Sequence, residues 1–207
     1  MAANLLDLYL GGTETSITSL LWAFLFMLDK PETQEKLRAE VLKITGGNRH
    51  VEISDKANMP YANAILSEIL RRSNILTFNI LHETTAESVV GDYVIPKGTV
   101  ITPQMSVVLR DKKHFDDPME FNPDRFLDPE TGKQLEKKVI AFGLGKRACL
   151  GESLARAEMF LFITNFVQRY KFSPLQGQEP PKLEPVSLAT NMNRTKRYEM
   201  TLEKNHA

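Results

Sequence analysis

Helical spacing of hydrophobic residues dominates the sequence. Residues 4–29 are apolar on nearly every side, which predicts a long helix that passes through the centre of a domain. Residues 31–44 and 60–72 each begin with proline, which suits the first turn of a helix, and Gly46-Gly47 predicts the end of the former. Further helical patterns occupy residues 103–110 and 150–170.

Between the helices lie segments with strand and loop patterns. Residues 84–99 alternate in polarity and contain two turn signals, at Gly91-Asp92 and at residues 96–98, so they predict a small sheet. Residues 111–138 are polar and predict a long segment without regular structure. Residues 197–202 predict a late strand. The predicted fold class is therefore mainly α with small β-sheets.

Composition narrows the range of partners and sites. The 26 Lys and Arg residues balance the 26 Asp and Glu residues, so charge gives no reason to expect a nucleic acid partner. The single cysteine excludes an internal disulfide and cannot form a zinc site alone. This cysteine content fits a reducing environment that faces the cytosol.

The first residues do not resemble a signal peptide, because they carry no positive charge and Asp7 interrupts the apolar run. Residues 5–28 are long enough to span a bilayer. However, Asp7, Glu14 and the polar residues 11–19 favour a buried helix. A small protein inserted into a membrane through residues 5–28 remains an alternative.

The candidate chemistry centres on Cys149. Gly143 and Gly145 precede it, and a helical pattern starts directly after it, so Cys149 lies between a glycine-containing loop and a helix N-terminus. Unpaired backbone N–H groups and the helix dipole favour negative charge on sulfur there. Glycines also let a flat ligand approach the backbone closely. The alternative is a buried structural cysteine.

The stretch Phe142-x-x-Gly145-x-Arg147-x-Cys149-x-Gly151 resembles the haem-binding signature of the cytochrome P450 family. The resemblance implies haem b as cofactor, with the Cys149 thiolate as axial ligand of the iron, which favours cleavage of the O–O bond in bound dioxygen. It also implies that Phe142 packs beside the sulfur, that Arg147 pairs with a haem propionate and that Gly151 leaves room for the porphyrin.

A second motif lies within the first predicted helix. Residues 11–16 place two glycines, an acid and three hydroxyls where a buried helix normally has good helix formers, and each glycine costs about 1 kcal/mol relative to alanine. A close helix contact through small residues is one explanation, and hydroxyls that bond to preceding carbonyls can open a helix locally. The motif also resembles the family's distal-helix signature. That resemblance implies a dioxygen groove at Gly11 and Gly12, with Glu14 and Thr15 supporting proton delivery.

Two charged motifs complete the resemblance. Glu68 and Arg71 share one face of the helix predicted at residues 60–72, as many surface pairs do. The family has a Glu-x-x-Arg motif at this distance from its ligand cysteine, and an arginine in a downstream Pro-x-Arg-Phe element, here residues 123–126. The resemblance therefore implies a buried charge network of Glu68, Arg71 and Arg125 that is structural rather than catalytic.

Residues 93–99 and His82 are similar to microsomal, animal-type members of family 2. In such members a basic residue at the position of His82 contacts a haem propionate. Residues 73–81 line the substrate pocket in relatives, but here they lack the prolines common in that segment. The resemblance therefore leaves the shape of the substrate pocket open.

The motifs follow the family's order, so residues 1–207 are predicted to form a partial cytochrome P450 domain, the C-terminal half of the fold from the distal helix onward, without the N-terminal half or its membrane anchor. The resemblance implies a haem-thiolate monooxygenase that inserts one atom of dioxygen into a small lipophilic substrate, with electrons from an NADPH-cytochrome reductase-type partner. It implies the cytosolic face of the endoplasmic reticulum membrane. The alternative is a non-catalytic truncated remnant that binds haem weakly or not at all.

Overall fold

The computed structural model describes residues 2–186 and 191–205, and these residues are mainly helical. The longest helix, α1 (Ala2–Asp29), packs against three others: α2 (Pro31–Thr45), α3 (Pro60–Ser73) and α6 (Glu152–Arg169). The shorter elements are α4 (Met105–Leu109), α5 (Thr131–Glu136) and 3₁₀ turns at Ile53–Asn58, Pro123–Phe126 and Gly145–Arg147.

Six short strands form three antiparallel pairs within the described ranges. They are β1 (His82–Glu83) with β4 (Val100–Ile101), β2 (Ser88–Val90) with β3 (Tyr93–Ile95), and β5 (Tyr170–Ser173) with β6 (Thr201–Lys204). The predicted hairpin turn lies between β2 and β3, where Gly91 adopts a φ of 59°. The predicted class, mainly α with small β-sheets, is confirmed.

The local sequence explains where α2 and α3 begin and end. Both helices have proline in the first turn, where the missing N–H is tolerated. Gly46 ends α2 in a left-handed conformation, and its N–H donates to the Leu42 carbonyl. Asn74 ends α3 with a φ of 40°, and its N–H donates to the Leu70 carbonyl.

The hydrophobic core lies where α1, α3 and α6 meet. Residues 22–28 of α1 are all buried. The ring of Phe24 packs against those of Phe166 and Phe172, with centroid distances of 4.8 and 5.3 Å. The Trp22 indole N–H donates to the Asn193 carbonyl over 2.6 Å, which joins the core to a segment near the end of the chain.

The first part of α1 is exposed, so the prediction of a helix buried along its whole length is wrong. Five large apolar side chains there are 57–66% exposed, and none of the described segments covers them: Leu5, Leu6, Leu8, Tyr9 and Leu10. The apolar pattern identified the helix correctly, but it could not specify which neighbours cover it. In the described part of the chain, no helix combines the length and apolar character needed to cross a bilayer.

Residues 111–138 contain regular structure, contrary to prediction. Besides the 3₁₀ turn at Pro123–Phe126, they form α5. Just before α5, the Asp128 carboxylate accepts bonds from the Glu130 and Thr131 N–H groups over 3.0 and 2.7 Å. Bonds from Thr131 and Glu130 hold the pKa of Asp128 below its ordinary value.

Two predicted boundaries near the end of the chain are also wrong. The strand predicted at residues 197–202 begins only at Thr201, because the Tyr198 hydroxyl donates to the Leu21 carbonyl over 2.7 Å and draws this segment toward α1. The helix predicted from residue 150 begins at Glu152, and Leu150 is 92% exposed.

Candidate functional site

The loop that carries Cys149 folds back on itself before α6 begins. Gly143 and Gly145 each have a φ of 76°, a left-handed conformation that glycine adopts without steric cost. The Cys149 N–H donates to the Phe142 carbonyl over 2.8 Å, and the Ala148 N–H donates to the Gly145 carbonyl over 3.1 Å. Cys149 is exposed. The alternative of a buried structural cysteine is therefore wrong.

Cys149 lines a cleft of about 390 Å³ between its own loop, α1 and the segment that follows α3. Five of the predicted site residues lie on the walls of this one cleft: Gly11 and Thr15 from α1, and Phe142, Arg147 and Cys149 from the loop. The other lining residues are mostly apolar: Ser16, Ser19, Leu70, Ile75, Leu76, Asn79, Ile80, Ala141, Ala148, Leu150, Ala155 and Met159.

The α1 wall of the cleft is a continuous helix despite its glycines. The Thr13 and Thr15 hydroxyls each donate to a carbonyl one turn earlier, on Tyr9 and Gly11, over 2.6 Å. These bonds do not interrupt α1. A Cβ atom added at Gly11 would meet nothing within 4 Å, and the same holds at Gly12. The alternative of a close helix contact through these glycines is therefore wrong for the described structure.

Glu14 and Gly12 do not line the cleft. The Glu14 carboxylate accepts a bond from Arg194 Nε over 2.8 Å, and both side chains are about half exposed. Arg194 follows Asn193, whose carbonyl binds Trp22 of the core. Glu14 therefore lies beside the cleft, tied to a distant segment of the chain, and its role in proton delivery stays a prediction.

His82 lies in a neighbouring cavity of about 310 Å³ rather than in the main cleft. Arg147 and Asn79 line both cavities, so the two share a wall. A Cβ atom added at Gly143 would lie 3.0 Å from Asn79 Nδ2, which shows how closely the Cys149 loop approaches the segment after α3. Contact of His82 with a haem propionate stays a prediction.

Gly151 is the residue directly before α6. It does not line the cleft, but a Cβ atom there would lie 3.9 Å from Cys149 Sγ, which is an ordinary contact distance. A larger side chain would therefore compete for the space around the sulfur. This geometry is compatible with the predicted role of Gly151 in leaving room for a bound group.

Glu68 and Arg71 form an ion pair that is fully buried, so the alternative of a common surface pair is wrong. Arg71 Nε and Nη2 donate to the two Glu68 carboxylate oxygens over 2.6 and 2.8 Å, and both side chains are 0% exposed. Arg125 Nε donates to Glu68 Oε1 over 3.2 Å. The structure thus brings together the three residues of the predicted charge network.

Arg71 also binds the end of α4 and the loop that follows it. Its guanidinium donates to three backbone carbonyls, on Leu109, Pro118 and Glu120, over 2.7–3.0 Å. Every nitrogen of the Arg71 side chain therefore has a partner, which is the condition for a buried charge to be tolerated. One terminal nitrogen of Arg125 is buried without a partner among the described residues.

Arg72 binds the same loop from the neighbouring position. Its Nε donates to the Met119 carbonyl over 2.6 Å, and its guanidinium lies 5.7 Å from the centre of the Phe26 ring. Burial, together with the charges of Arg110 and Arg71, lowers the pKa of Arg72 to about 10. Arg72 therefore stays protonated near neutral pH, and adjacent arginines fix the loop to α3.

Some residues of the site lack a sequence signal. Met159 lines the main cavity but belongs to no motif. Arg194 binds Glu14 across 180 positions, a partnership that local sequence cannot reveal. The segment 73–81 did carry a signal, because the resemblance gives it a pocket-lining role, and four of its residues line the cleft: Ile75, Leu76, Asn79 and Ile80.

The donor set of the cleft suits the haem that the resemblance implies. It offers an exposed cysteine sulfur as a soft metal ligand, mostly apolar walls for a flat macrocycle, and Arg147 as a cation for its acidic edge. The open space at Gly11 would be reduced by any side chain. The residues present therefore fit the group.

Sequence comparison identifies relatives over most of the chain. The family profile described as Cytochrome P450 matches residues 1–202. The chain is 40% identical to cytochrome P450 2J3 of Rattus norvegicus and 38% identical to cytochrome P450 2J2 of Homo sapiens, in each case over 94% of this chain and 38% of the relative. It is 39% identical to cytochrome P450 2D26 of Mus musculus, over 85% of this chain and 35% of the relative.

Structure comparison finds the same family as sequence comparison. A zebrafish cytochrome P450 structure with abiraterone superposes with a TM-score of 0.87 at 33% identity, covering 97% of this chain and 46% of that one. The chain thus spans less than half the length of these relatives and adopts part of their fold. The similarity to family 2 members, expected from the motifs, is confirmed by the 2J and 2D relatives. On this evidence, the chain belongs to the cytochrome P450 family.

Proposed function

We propose that this chain forms the haem-binding part of a monooxygenase, in which the Cys149 thiolate would hold the iron of haem b. The observation that carries the proposal is the single cleft that contains Cys149, Phe142 and Arg147 together with Gly11 and Thr15. These residues come from two motifs far apart in the chain. Their convergence on one mostly apolar space supports a shared ligand.

Bound haem would supply the oxygen activation needed to insert one atom of dioxygen into a small lipophilic substrate. The chain positions the group and controls its surroundings. Cys149 Sγ would hold the iron, Phe142 would pack beside the sulfur, and Arg147 would pair with an acidic edge of the haem. Gly11 and Gly12 keep the surface of α1 open, while Gly151 limits crowding around the sulfur.

Proton supply is assigned to Thr15 and Glu14. The Thr15 hydroxyl proton bonds to the Gly11 carbonyl, and rotation about the side chain would direct it into the cleft that Thr15 lines. Glu14, one position earlier, carries a carboxylate held by Arg194 at the edge of α1. Together they provide a hydroxyl that can donate and a carboxylate that can return the proton.

The proposal extends to partners and location. Electrons come from an NADPH-cytochrome reductase-type partner, dioxygen is the co-substrate, and His82 supplies a second contact to the haem edge through the cavity it shares with Arg147. The location is the cytosolic face of the endoplasmic reticulum membrane. The 2J and 2D relatives support the proposed reductase partner and the proposed location, because they are the type of member that the motifs resemble.

The first experiment is the carbon monoxide difference spectrum of the purified chain after haem reconstitution and reduction. We expect a strongly red-shifted Soret band that Cys149→Ala abolishes, because only thiolate ligation produces that shift. The control is Ser153→Ala, a change at an exposed position of α6 that does not line the cleft. Its spectrum should match the wild type.

Two results would contradict the proposal. One is a Cys149→Ala spectrum identical to the wild type, since another ligand would then hold the iron. The other is the absence of any shifted band from a chain that is folded by circular dichroism. The second result would favour a truncated remnant that binds haem weakly or not at all.

Thiol labelling tests haem binding without activity. Because Cys149 is exposed, a thiol reagent should modify the haem-free chain rapidly and completely. If the Cys149 sulfur coordinates the haem iron, prior addition of haem should slow the labelling by at least about tenfold. An unchanged labelling rate at saturating haem would show that the haem binds elsewhere or not at all.

The threonines of α1 offer a matched pair for the proton pathway. Thr13 and Thr15 form the same backbone bond, but only Thr15 lines the cleft. In the reconstituted protein, Thr15→Val should reduce substrate oxidation per oxygen consumed by about 10²-fold or more, while Thr13→Val leaves this ratio unchanged. Equal effects of both substitutions would indicate a helix defect and remove Thr15 from the mechanism.

A further inference from the structure

The cleft at Cys149 and the neighbouring cavity that contains His82 have two described lining residues in common, Asn79 and Arg147. Among the described residues, none that lines either space is acidic. Asn79 and Arg147 therefore flank the route from the cleft to the cavity of His82. Arg147 already has a predicted partner in a haem propionate, whereas Asn79 has no assigned role.

The backbone of Asn79 is held on both sides by the segment that precedes α4. Its N–H donates to the Pro103 carbonyl over 3.1 Å, and its own carbonyl accepts a bond from the Thr102 hydroxyl over 2.8 Å. The Asn79 side chain thus extends from a fixed point on the wall. A group that is fixed before binding loses little conformational entropy when it contacts a ligand.

The orientation of the Asn79 amide follows from its own hydrogen bond. Oδ1 accepts from the Ile80 N–H over 2.8 Å, and only the oxygen of an amide can accept, so Nδ2 points away from that N–H. Nδ2 faces the loop of Cys149, since a Cβ atom added at Gly143 would lie 3.0 Å from it. Within the described ranges, Nδ2 donates to no acceptor. Its two N–H groups are therefore available to a ligand.

We propose that Asn79 Nδ2 donates a hydrogen bond to a propionate of the bound haem and so adds a cofactor-binding residue to those of the motifs. This inference rests on the proposed binding of haem at Cys149. A carboxylate accepts bonds from several donors at once, so Asn79 and Arg147 can hold the same group from the wall that they share. A purely structural role, the bond to Ile80, uses Oδ1 alone and leaves Nδ2 without a function.

The test compares two forms of haem in spectrophotometric titrations of the 207-residue chain. One is haem itself, and the other is haem dimethyl ester, in which both propionates are esterified. Asn79→Asp keeps an oxygen for the Ile80 N–H, removes the donor and places a carboxylate beside the propionate. We expect the Kd for haem to rise by about tenfold or more, because like charges then face each other. The Kd for the ester should change by less than about twofold, because the ester carries no such charge.

A second variant removes the donor without adding charge. Asn79→Leu should raise the Kd for haem by about fivefold, since a hydrogen bond to a charged acceptor is lost. The control is Asn58→Asp, which makes the same change of charge at an exposed position that lines neither space. The Kd of this control for haem should equal that of the wild type. Circular dichroism of all variants should match as well.

Weaker binding of haem with unchanged binding of the ester supports the contact. Equal Kd values for haem in the wild type and both Asn79 variants overturn it, while the red-shifted band with carbon monoxide leaves thiolate ligation by Cys149 in place. Equal weakening of haem and ester also overturns it, because Asn79 would then act through the fold. If the wild type gives no red-shifted band, the proposed function fails and this inference fails with it.

Discussion

The buried charge network on α3 and the cleft at Cys149 differ in the burial of their functional groups and in where those groups find partners. Glu68 and Arg71 are completely buried, and every nitrogen of Arg71 has an acceptor within the chain. Cys149 is exposed, Leu150 is 92% exposed, and Gly11 has open space where a side chain would lie. The Glu68–Arg71 pair thus finds its partners within the chain, whereas the cleft presents an exposed sulfur and open space.

This difference indicates which side chains can be substituted without a large loss of folding stability. Removing one charged partner from a buried ion pair is costly, because the remaining charge is left without water or a counter-charge. Exposed groups around a cleft keep their contact with water, so their loss affects ligands rather than folding. Substitutions in these two kinds of region should therefore differ in their effect on the free energy of unfolding.

The largest expected effect is on the network. Arg71→Ala leaves the Glu68 carboxylate buried and removes the donors to three backbone carbonyls. We expect the free energy of unfolding, measured by urea denaturation, to fall by about 3–5 kcal/mol. Lys36→Gln is the control, because its ion pair with Asp124 is about half exposed and should contribute less than about 1 kcal/mol. A loss at Arg71 as small as that at Lys36 would refute the buried network as a stability element.

The two ends of α1 provide the next comparison. Leu25 is 2% exposed and Leu8 is 62% exposed on the same helix. Leu25→Ala should lower the free energy of unfolding by about 2–5 kcal/mol, because it opens a cavity in the core. Leu8→Ala should change it by less than about 0.5 kcal/mol. A large loss at Leu8 in the same urea experiment would mean that the first part of α1 is covered in solution.

Two glycines allow the packed and the open regions to be compared at the level of the backbone. A Cβ atom at Gly132 would collide with the Phe126 carbonyl, next to the 3₁₀ turn that carries Arg125, whereas a Cβ atom at Gly11 meets nothing. Gly132→Ala should lower the free energy of unfolding by about 1–3 kcal/mol. Gly11→Ala should raise it by up to about 1 kcal/mol, because alanine is the better helix former. Thermal unfolding of both variants checks the opposite signs.

The smallest expected effect concerns an exposed pair. A hydrogen bond from Arg49, and then one from the Glu52 N–H, lowers the pKa of Asp55 to about 2. Because the folded-state pKa lies below the unfolded value, the stabilisation is present above about pH 4 and is lost as the pH falls toward about 2. The melting temperature of Asp55→Asn should therefore lie slightly below that of the wild type at pH 6.

As the pH falls from about 4 toward about 2, the two melting temperatures should converge. Glu179→Gln, at an exposed carboxylate without an ion pair among the described residues, serves as the control and should show no such convergence. A constant difference between Asp55→Asn and the wild type across this pH range would contradict the assignment.

Motif spacing predicted much of the site, since Gly11, Thr15, Phe142, Arg147 and Cys149 do line one cleft. Each belongs to a short pattern whose chemistry requires that residue type, and the helices that carry them begin and end at recognisable signals. Patterns of this kind are local, so single-sequence reasoning can read them.

The rest depends on contacts between distant segments. The pairing of Glu14 with Arg194 and the late start of β6 are set by tertiary packing. The exposure of Leu8 depends on which segments surround α1, a property that its apolar pattern does not encode.

The hydrogen bond from Trp22 to Asn193 makes tryptophan fluorescence a reporter of when this long-range contact forms during folding. It joins positions 171 residues apart, and Trp22 is the only tryptophan in the chain. Closing so long a loop is slow relative to forming local helices. We therefore expect tryptophan emission to change late in refolding, when the segment that contains Asn193 packs against α1. The same step would bring Arg194 to Glu14.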